Sequence, residues 1–252
     1  MIPIELVRRS QWERRSAIPD YYETYLSEDI YDIGKVDDLA SFKEAIAHKN
    51  SDKWIEAMQD ELKSMSTNQV YELVEIPDGV KPVGCKWVYK TKRDSKGKFE
   101  KFKARLVAKG FTQIEGVDYN ETFSPVSKKD SFRIVMALVA HYDLELHQMD
   151  VKTAFLNGDL HETIFMAQPE GFVVKGKEHM GCRLKKSIYG LKQASRQWYL
   201  KFDDVIKKFG FIENLKDNCI NIKTKGGRFI ILVLYVDDIL LASNDKKICY
   251  MR

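Results

Sequence analysis

Two adjacent carboxylates, Asp237 and Asp238, interrupt the most apolar stretch of the chain, residues 229–242. Apolar flanks on both sides predict two buried strands joined by a tight turn at Val236, Asp237 and Asp238. Neighbouring carboxylates in such a place repel one another and lose hydration, a cost that a divalent cation or an arginine offsets. The plainer reading is a solvated hairpin tip, where Asp is common. Asp150 adds a third carboxylate: it follows Leu146 and Gln148 in alternation and ends a second apolar strand far upstream. Taken singly it also reads as the N-cap of the turn that begins at Val151. Three carboxylates meeting at strand ends could hold two divalent ions about 3.5–4 Å apart, one lowering the pKa of an attacking hydroxyl and the other steadying a pyrophosphate leaving group. That chemistry is nucleotidyl transfer.

A second group of residues is suited to phosphate. Residues 81–110 carry eleven Lys and Arg against Asp94 and Glu100, a local balance of +9 in a chain of net charge +4. Within them CKWVYKTK and KFEKFKARLVAK flank DSKG, a turn sequence between two segments able to alternate, which predicts a basic β-hairpin. Lys90, Lys92, Lys101, Lys103 and Arg105 would line it, with Trp87, Tyr89 and Phe102 packing or stacking. Arg105 is the first choice for gripping a triphosphate, because a guanidinium binds phosphate bidentately, and Lys103 on the same strand face is the alternative. An ordinary solvated lysine face has the same composition. Residues 183–208, with eight basic residues, Lys192 and Arg196 among them, against Asp203 and Asp204, suit either a surface along a nucleic-acid template or a helix with a solvated cationic face.

The elements that must hold these groups are legible from periodicity. From Asn50, NSDKWIEAMQDELKSM places Trp54, Met58, Leu62 and Met65 on one helical face, with Ser51 or Asp52 as N-cap. Phe132, Val135, Met136 and Val139 predict a helix under a sheet. ELHQMDV predicts a strand running into a short helical turn at KTAFLNG, and TIFMAQPEGF a strand ended by Pro169. Trp198, Phe202, Val205 and Phe209 predict another helix, closed by Gly210. The last strands are separated by a Gly-Gly turn and then by the Asp-Asp turn.

At 252 residues and 44% hydrophobic content the chain can bury a sizeable core. Cysteines 85, 182, 219 and 249 lack CxxC spacing and read as reduced thiols inside a cell. No secretory h-region opens the sequence, and the 229–242 run is too short and too charged to cross a bilayer, so no membrane partner is expected. Residues 1–49 read as a tether with a short helix in DLASFKEAIA, 50–245 as the folded part and 246–252 as a tail.

YVDD resembles the motif that carries two catalytic aspartates in reverse transcriptases, and LHQMDVKTAFLNGDL resembles the segment that carries the third in the copia class. GCKWVYKTK, KARLVAKGFTQIEGVDYNETFSPV, MAQPEGF and LKKSIYGLKQASRQWY are similar to further copia-type segments, in the expected order. RRSQWERR and the stretch after it are similar to the linker upstream of this domain in copia-type polyproteins. The resemblance implies an α+β fold, a polymerase palm with an antiparallel sheet backed by helices and fingers carrying the basic hairpin. It implies RNA-directed DNA polymerisation: deoxynucleoside triphosphates added to a primer on an RNA or DNA template, with two magnesium ions or manganese in their place. Asp150 and Asp237 would bind the ions, and Asp238 would support them as the third catalytic carboxylate. Phe155, five positions after Asp150, would face the sugar of the incoming nucleotide and exclude a 2′-hydroxyl by its bulk; the plainer alternative is a core Phe. Gln193 would help hold the nucleotide, Arg105 or Lys103 would meet its phosphates, and Lys90, Lys92, Lys101, Lys192 and Arg196 would contact nucleic acid. Only fourteen residues follow Asp238, whereas the family continues into a thumb and an RNase H domain. The expectation is therefore an incomplete fragment with the thumb absent, the alternative being an inactive remnant that at most binds nucleic acid. Its setting would be a cytoplasmic particle or the nucleus, and its oligomeric state is left open.

Overall fold

Residues 39–93 and 98–245 are described by a computed structural model of the protein. Helix α1 (Phe42–Ala47) is capped by Ser41, whose hydroxyl accepts the Glu44 N–H at 3.2 Å. Helix α2 (Ser51–Thr67) buries Trp54, Met58 and Met65 along one face. Its N-cap is Asn50, without a side-chain bond, and not the expected Ser51 or Asp52. Ala45 is buried, and Leu39 and Phe42 pack on the main core. The folded part thus begins upstream of the boundary expected at Asn50, because the DLASFKEAIA helix has an apolar face of its own to bury. The remainder of the expected tether (1–38), the DSKG turn (94–97) and the tail (246–252) lie outside the described residues.

Along the chain follow β1 (Tyr71–Glu75), β2 (Cys85–Arg93), β3 (Phe99–Ala108), α3 (Lys129–Tyr142), β4 (Glu145–Asp150), a 3-10 turn (Ala154–Asn157), β5 (Asp159–Met166), β6 (Met180–Lys186), α4 (Ala194–Lys208), β7 (Ile212–Glu213), β8 (Ile220–Lys225), β9 (Arg228–Tyr235) and β10 (Asp238–Ser243). Among the described residues they form three antiparallel sheets: β2-β3, β1-β6-β5 and β4-β10-β9-β8-β7. Strands β1 and β6 are missed by the sequence reading because charges break their alternation. Those charges pair across the ladder, Glu72 with Arg183 and with Lys185.

The hairpin β2-β3 has two unlike faces, as period-two alternation requires. Trp87↔Leu106, Tyr89↔Ala104 and Thr91↔Phe102 form the apolar face. Against it lies Trp54 of α2, with ring centroids 5.3 Å from Tyr89 and 4.4 Å from Phe102. The opposite face carries the pairs Lys90↔Lys103 and Lys92↔Lys101.

The five-stranded sheet packs on both faces. Ile220, Ile231, Val233 and Ala242 meet Val135 of α3, while Ile230, Leu232, Leu234, Ile239 and Leu241 belong to the main core with Trp198, Tyr199 and Phe202 of α4. The expected α4 stripe is cut short: Gln197 and Tyr199 are buried, whereas Val205 and Phe209 are exposed, because the packing is concentrated in the first half of the helix. In α3, Phe132 is likewise exposed and Val135 carries the burial. Cys85, Cys182 and Cys219 are free thiols, pushed by burial to about 11, 12 and 12 respectively. Among the described residues no helix is long and apolar enough to cross a membrane.

Candidate active site

The ladder between β4 and β10 sets Asp238 directly opposite Asp150. Residues opposite one another in an antiparallel pair share a face, so both carboxylates leave the sheet on the same side. The Val151 N–H donates to the Asp237 carbonyl at 2.9 Å, tying the turn to the residue that follows Asp150. Gln148, two residues before Asp150 and on its face, donates from Nε2 to Asp238 Oδ1 at 3.1 Å.

Between β9 and β10 the turn has two residues, Val236 and Asp237. Val236 has φ +57° while Asp237 stays negative, the sign pattern of a II′ turn, whose first position normally belongs to glycine. A β-branched residue there costs roughly 1–3 kcal/mol and persists only where surrounding contacts hold it. One such contact is the Trp198 indole N–H, which donates to the Val236 carbonyl at 2.6 Å. Both carbonyls of the turn are therefore held by donors outside the hairpin.

Like charges directly across a ladder destabilise it, and a cation bound between them reverses the sign. The placement of Asp150, Asp237 and Asp238 fits a divalent-metal site in this respect. The side chains themselves do not converge: among the described residues no three His, Cys, Asp or Glu side chains form a metal-binding set. Asp238 instead accepts from Gln148.

Phe155 was expected to present its ring to an open cleft, and it does not. It is 9% exposed within the main core, edge to face with Tyr189 at 5.2 Å and 76°. The 3-10 turn after Asp150 rolls it inward together with Ala154 and Leu156. The Arg105 guanidinium lies 4.9 Å above the other partner of this pair, Tyr189. The stack Arg105–Tyr189–Phe155 thus links the basic hairpin to the segment that carries Asp150. Its footing is tight, since the Ala108 N–H donates to the Tyr189 carbonyl at 2.8 Å and a Cβ on Gly110 would lie 2.0 Å from the Gly190 carbonyl oxygen. Beside Arg105 and Lys103, burial raises the Glu61 carboxyl above its usual value, although the Leu106 N–H and those two cations pull the other way.

Gln193, expected to help hold a nucleotide, lies inside the protein. It is completely buried: its Oε1 accepts from Gln113 Nε2 at 3.1 Å and its Nε2 donates to the Asp118 carbonyl at 2.9 Å. Gln113 Oε1 in turn accepts the Lys192 N–H at 2.8 Å. These bonds make a buried amide latch between the 113–118 loop and the start of α4. Lys192 and Arg196, expected along a template, are turned to the same loop. Lys192 Nζ sits 3.0 Å from the Tyr119 hydroxyl, and Arg196 pairs with Glu121 at 2.6 Å and donates to the Phe123 carbonyl at 3.1 Å. Gln113, Tyr189 and Trp198 carry no sequence signal of these roles, because each depends on a partner distant in the chain. Gln148 had one, its alternation with Asp150.

The profile of the reverse transcriptase (RNA-dependent DNA polymerase) family matches residues 68–250. The chain is 51% identical over 207 residues to the retrovirus-related Pol polyprotein from transposon TNT 1-94 of Nicotiana tabacum, covering 82% of this chain and 16% of that protein. It is 42% identical over 202 residues to the Pol polyprotein from transposon RE2 of Arabidopsis thaliana, covering 80% of this chain and 14% of that one. A more distant relative, the Transposon Ty1-LR2 Gag-Pol polyprotein of Saccharomyces cerevisiae, is 27% identical over 215 residues, 81% of this chain and 12% of the relative. The chain spans about a sixth of the length of the plant polyproteins it matches. With the YVDD turn, its partner Asp150 and these matches over most of its length, the chain belongs to the reverse transcriptase family, as the reverse transcriptase domain of a copia-type Pol polyprotein.

Proposed function

We propose that this domain extends a primer 3′ end with deoxynucleotides on an RNA or DNA template. The observation that carries the reading is the register that sets Asp150 across from Asp238 and beside the Asp237 turn. In this reading the five-stranded sheet with α3 and α4 is the palm, and the β2-β3 hairpin with α2 forms the fingers. Asp150 and Asp237 would hold two divalent ions, magnesium or manganese, whose charge would lower the pKa of a primer hydroxyl and offset that of a leaving pyrophosphate. Asp238, kept in place by Gln148, supports the pair from the adjacent strand position. The outer hairpin face, with Lys90, Lys92, Lys101, Lys103 and Arg105, draws in the triphosphate and the nucleic-acid backbone.

The test is extension of a DNA primer on an RNA template with Mg2+ and all four deoxynucleotides, beside an Asp237→Asn control. Extension that the control loses by a factor of about 10² or more supports the reading. Extension that the control leaves intact would overturn it. Salt-sensitive binding without extension would favour a chain that only binds nucleic acid.

A further inference from the structure

We infer that Trp198 is a positioning residue for the YVDD turn: its indole N–H, by holding the Val236 carbonyl, keeps the turn in the left-handed conformation that presents Asp237. Three observations support this. Val236 is β-branched, 38% exposed and at φ +57°, so neither its own preference nor burial of its side chain explains its conformation. Trp198 is 7% exposed, which leaves its N–H little access to water, and the bond to the Val236 carbonyl is short at 2.6 Å. A buried indole N–H deprived of that carbonyl would be unsatisfied, so each group needs the other.

The third observation is where Trp198 is anchored. A Cβ on Gly158 would lie 2.8 Å from the Gln197 carbonyl carbon and 2.9 Å from the Trp198 nitrogen. Only glycine lets the start of α4 sit this close. Gly158 immediately follows the 3-10 turn (Ala154–Asn157) that comes after Asp150. One turn of α4 therefore touches the chain just beyond Asp150 and the turn that carries Asp237. Trp198 also lies 5.8 Å from the Phe202 ring, and that packing alone would make it an ordinary core residue. The bond to Val236 is what distinguishes the two roles.

The consequence for catalysis rests on the polymerase reading above, but the conformational claim does not. The experiment compares wild type, Trp198→Phe, Val236→Gly and the double variant by hydrogen exchange of peptides covering residues 230–243 and, as a reference, 51–67. Phenylalanine keeps an aromatic ring in the core and removes only the donor. Expected is exchange about tenfold faster in the turn peptide of Trp198→Phe with the reference unchanged, and a smaller difference when glycine, which adopts φ +57° without strain, replaces Val236. Equal exchange in wild type and Trp198→Phe, or faster exchange in both peptides alike, overturns the inference. Should Trp198→Phe not fold, Val236→Gly alone decides: with the indole bond kept and the strain gone, its turn exchanges no faster than wild type, and faster exchange overturns the inference.

Mn2+ titration of the same proteins, with Asp237→Asn beside them, separates the two claims. Loss of binding in Asp237→Asn and weakening by about three- to tenfold in Trp198→Phe supports both. Binding lost in Asp237→Asn but unaltered in Trp198→Phe counts against the positioning role. No difference between wild type and Asp237→Asn sinks the metal reading and leaves the exchange result standing on its own.

Discussion

Lys92 stands directly opposite Lys101 on the outer face of the β2-β3 hairpin, one step along from the second pair of like charges, Lys90 and Lys103. Like charges directly opposite, as Lys92 and Lys101 are, work against a ladder. Replacing Lys101 by Glu converts repulsion into attraction, and a gain of about 0.2–1 kcal/mol in stability is expected. The same change should weaken binding of a single-stranded oligonucleotide and reduce its salt dependence by about one phosphate contact. Thermal melting and anisotropy titrations over a series of salt concentrations check the two effects, which must have opposite signs.

Asp150 and Asp238 form the acidic counterpart of that arrangement. In EDTA, Asp150→Asn should melt no lower than wild type, because it removes one of two opposed carboxylates. Excess Mg2+ should raise the melting temperature of wild type and leave the variant unmoved, since ligands that bind only the folded state stabilise it by mass action. A variant that melts far below wild type in EDTA would mean that the Asp150 carboxylate has a stabilising role within the metal-free fold.

The latch of Gln113 and Gln193 predicts non-additive energetics. Each alanine substitution leaves a buried amide partner unsatisfied and should cost about 1–3 kcal/mol. The double variant should cost less than the sum, with a coupling of at least about 0.5 kcal/mol, because the second substitution removes a group already stranded by the first. Urea denaturation of the four proteins supplies the cycle. Strict additivity would contradict a direct amide pairing.

Glu61 gives a pH signature. Desolvation raises its carboxyl in the folded state above the ordinary 4.5, with the Leu106 N–H, Arg105 and Lys103 only partly opposing this. A raised folded value means that the group's contribution is complete below 4.5 and is lost as the pH rises through the folded value. Glu61→Gln should therefore be the more stable protein at neutral pH, which thermal melting checks. The gap should close as the pH falls below the ordinary Glu value. A gap that widens on acidification would show that the ionised carboxylate is favoured in the folded state.

The positions of the aspartates were legible in the sequence for a physical reason: Asp150 ends one strand, Asp238 begins another and Asp237 lies in the turn before it, and strand alternation needs no knowledge of distant partners. The unlike faces of the β2-β3 hairpin followed from the same period-two rule. The inward orientation of Phe155 and Gln193 was not legible. An aromatic ring five positions after a carboxylate and an amide on a basic segment are compatible with either solvent or interior. What turned them inward was Tyr189 in one case and Gln113 in the other, contacts that local pattern cannot supply. The shortened α4 stripe has a similar cause, since helical periodicity names an apolar face and leaves open how much of it the sheet covers.

Strand β4 lies at the outer margin of the five-stranded sheet, and Gln148 on it reaches Asp238 across 90 residues of chain. Strands β8, β9 and β10, by contrast, are joined by two-residue turns and close on one another locally. During folding the three-stranded meander can form early and already contains Asp237 and Asp238, whereas Asp150 arrives only when a long loop closes and β4 docks. Assembly of the carboxylate site thus belongs to the slow, non-local part of the folding reaction. A refolding chain would form the β8-β9-β10 meander before the Asp150–Asp238 register, and the lag between the two would time the docking of β4.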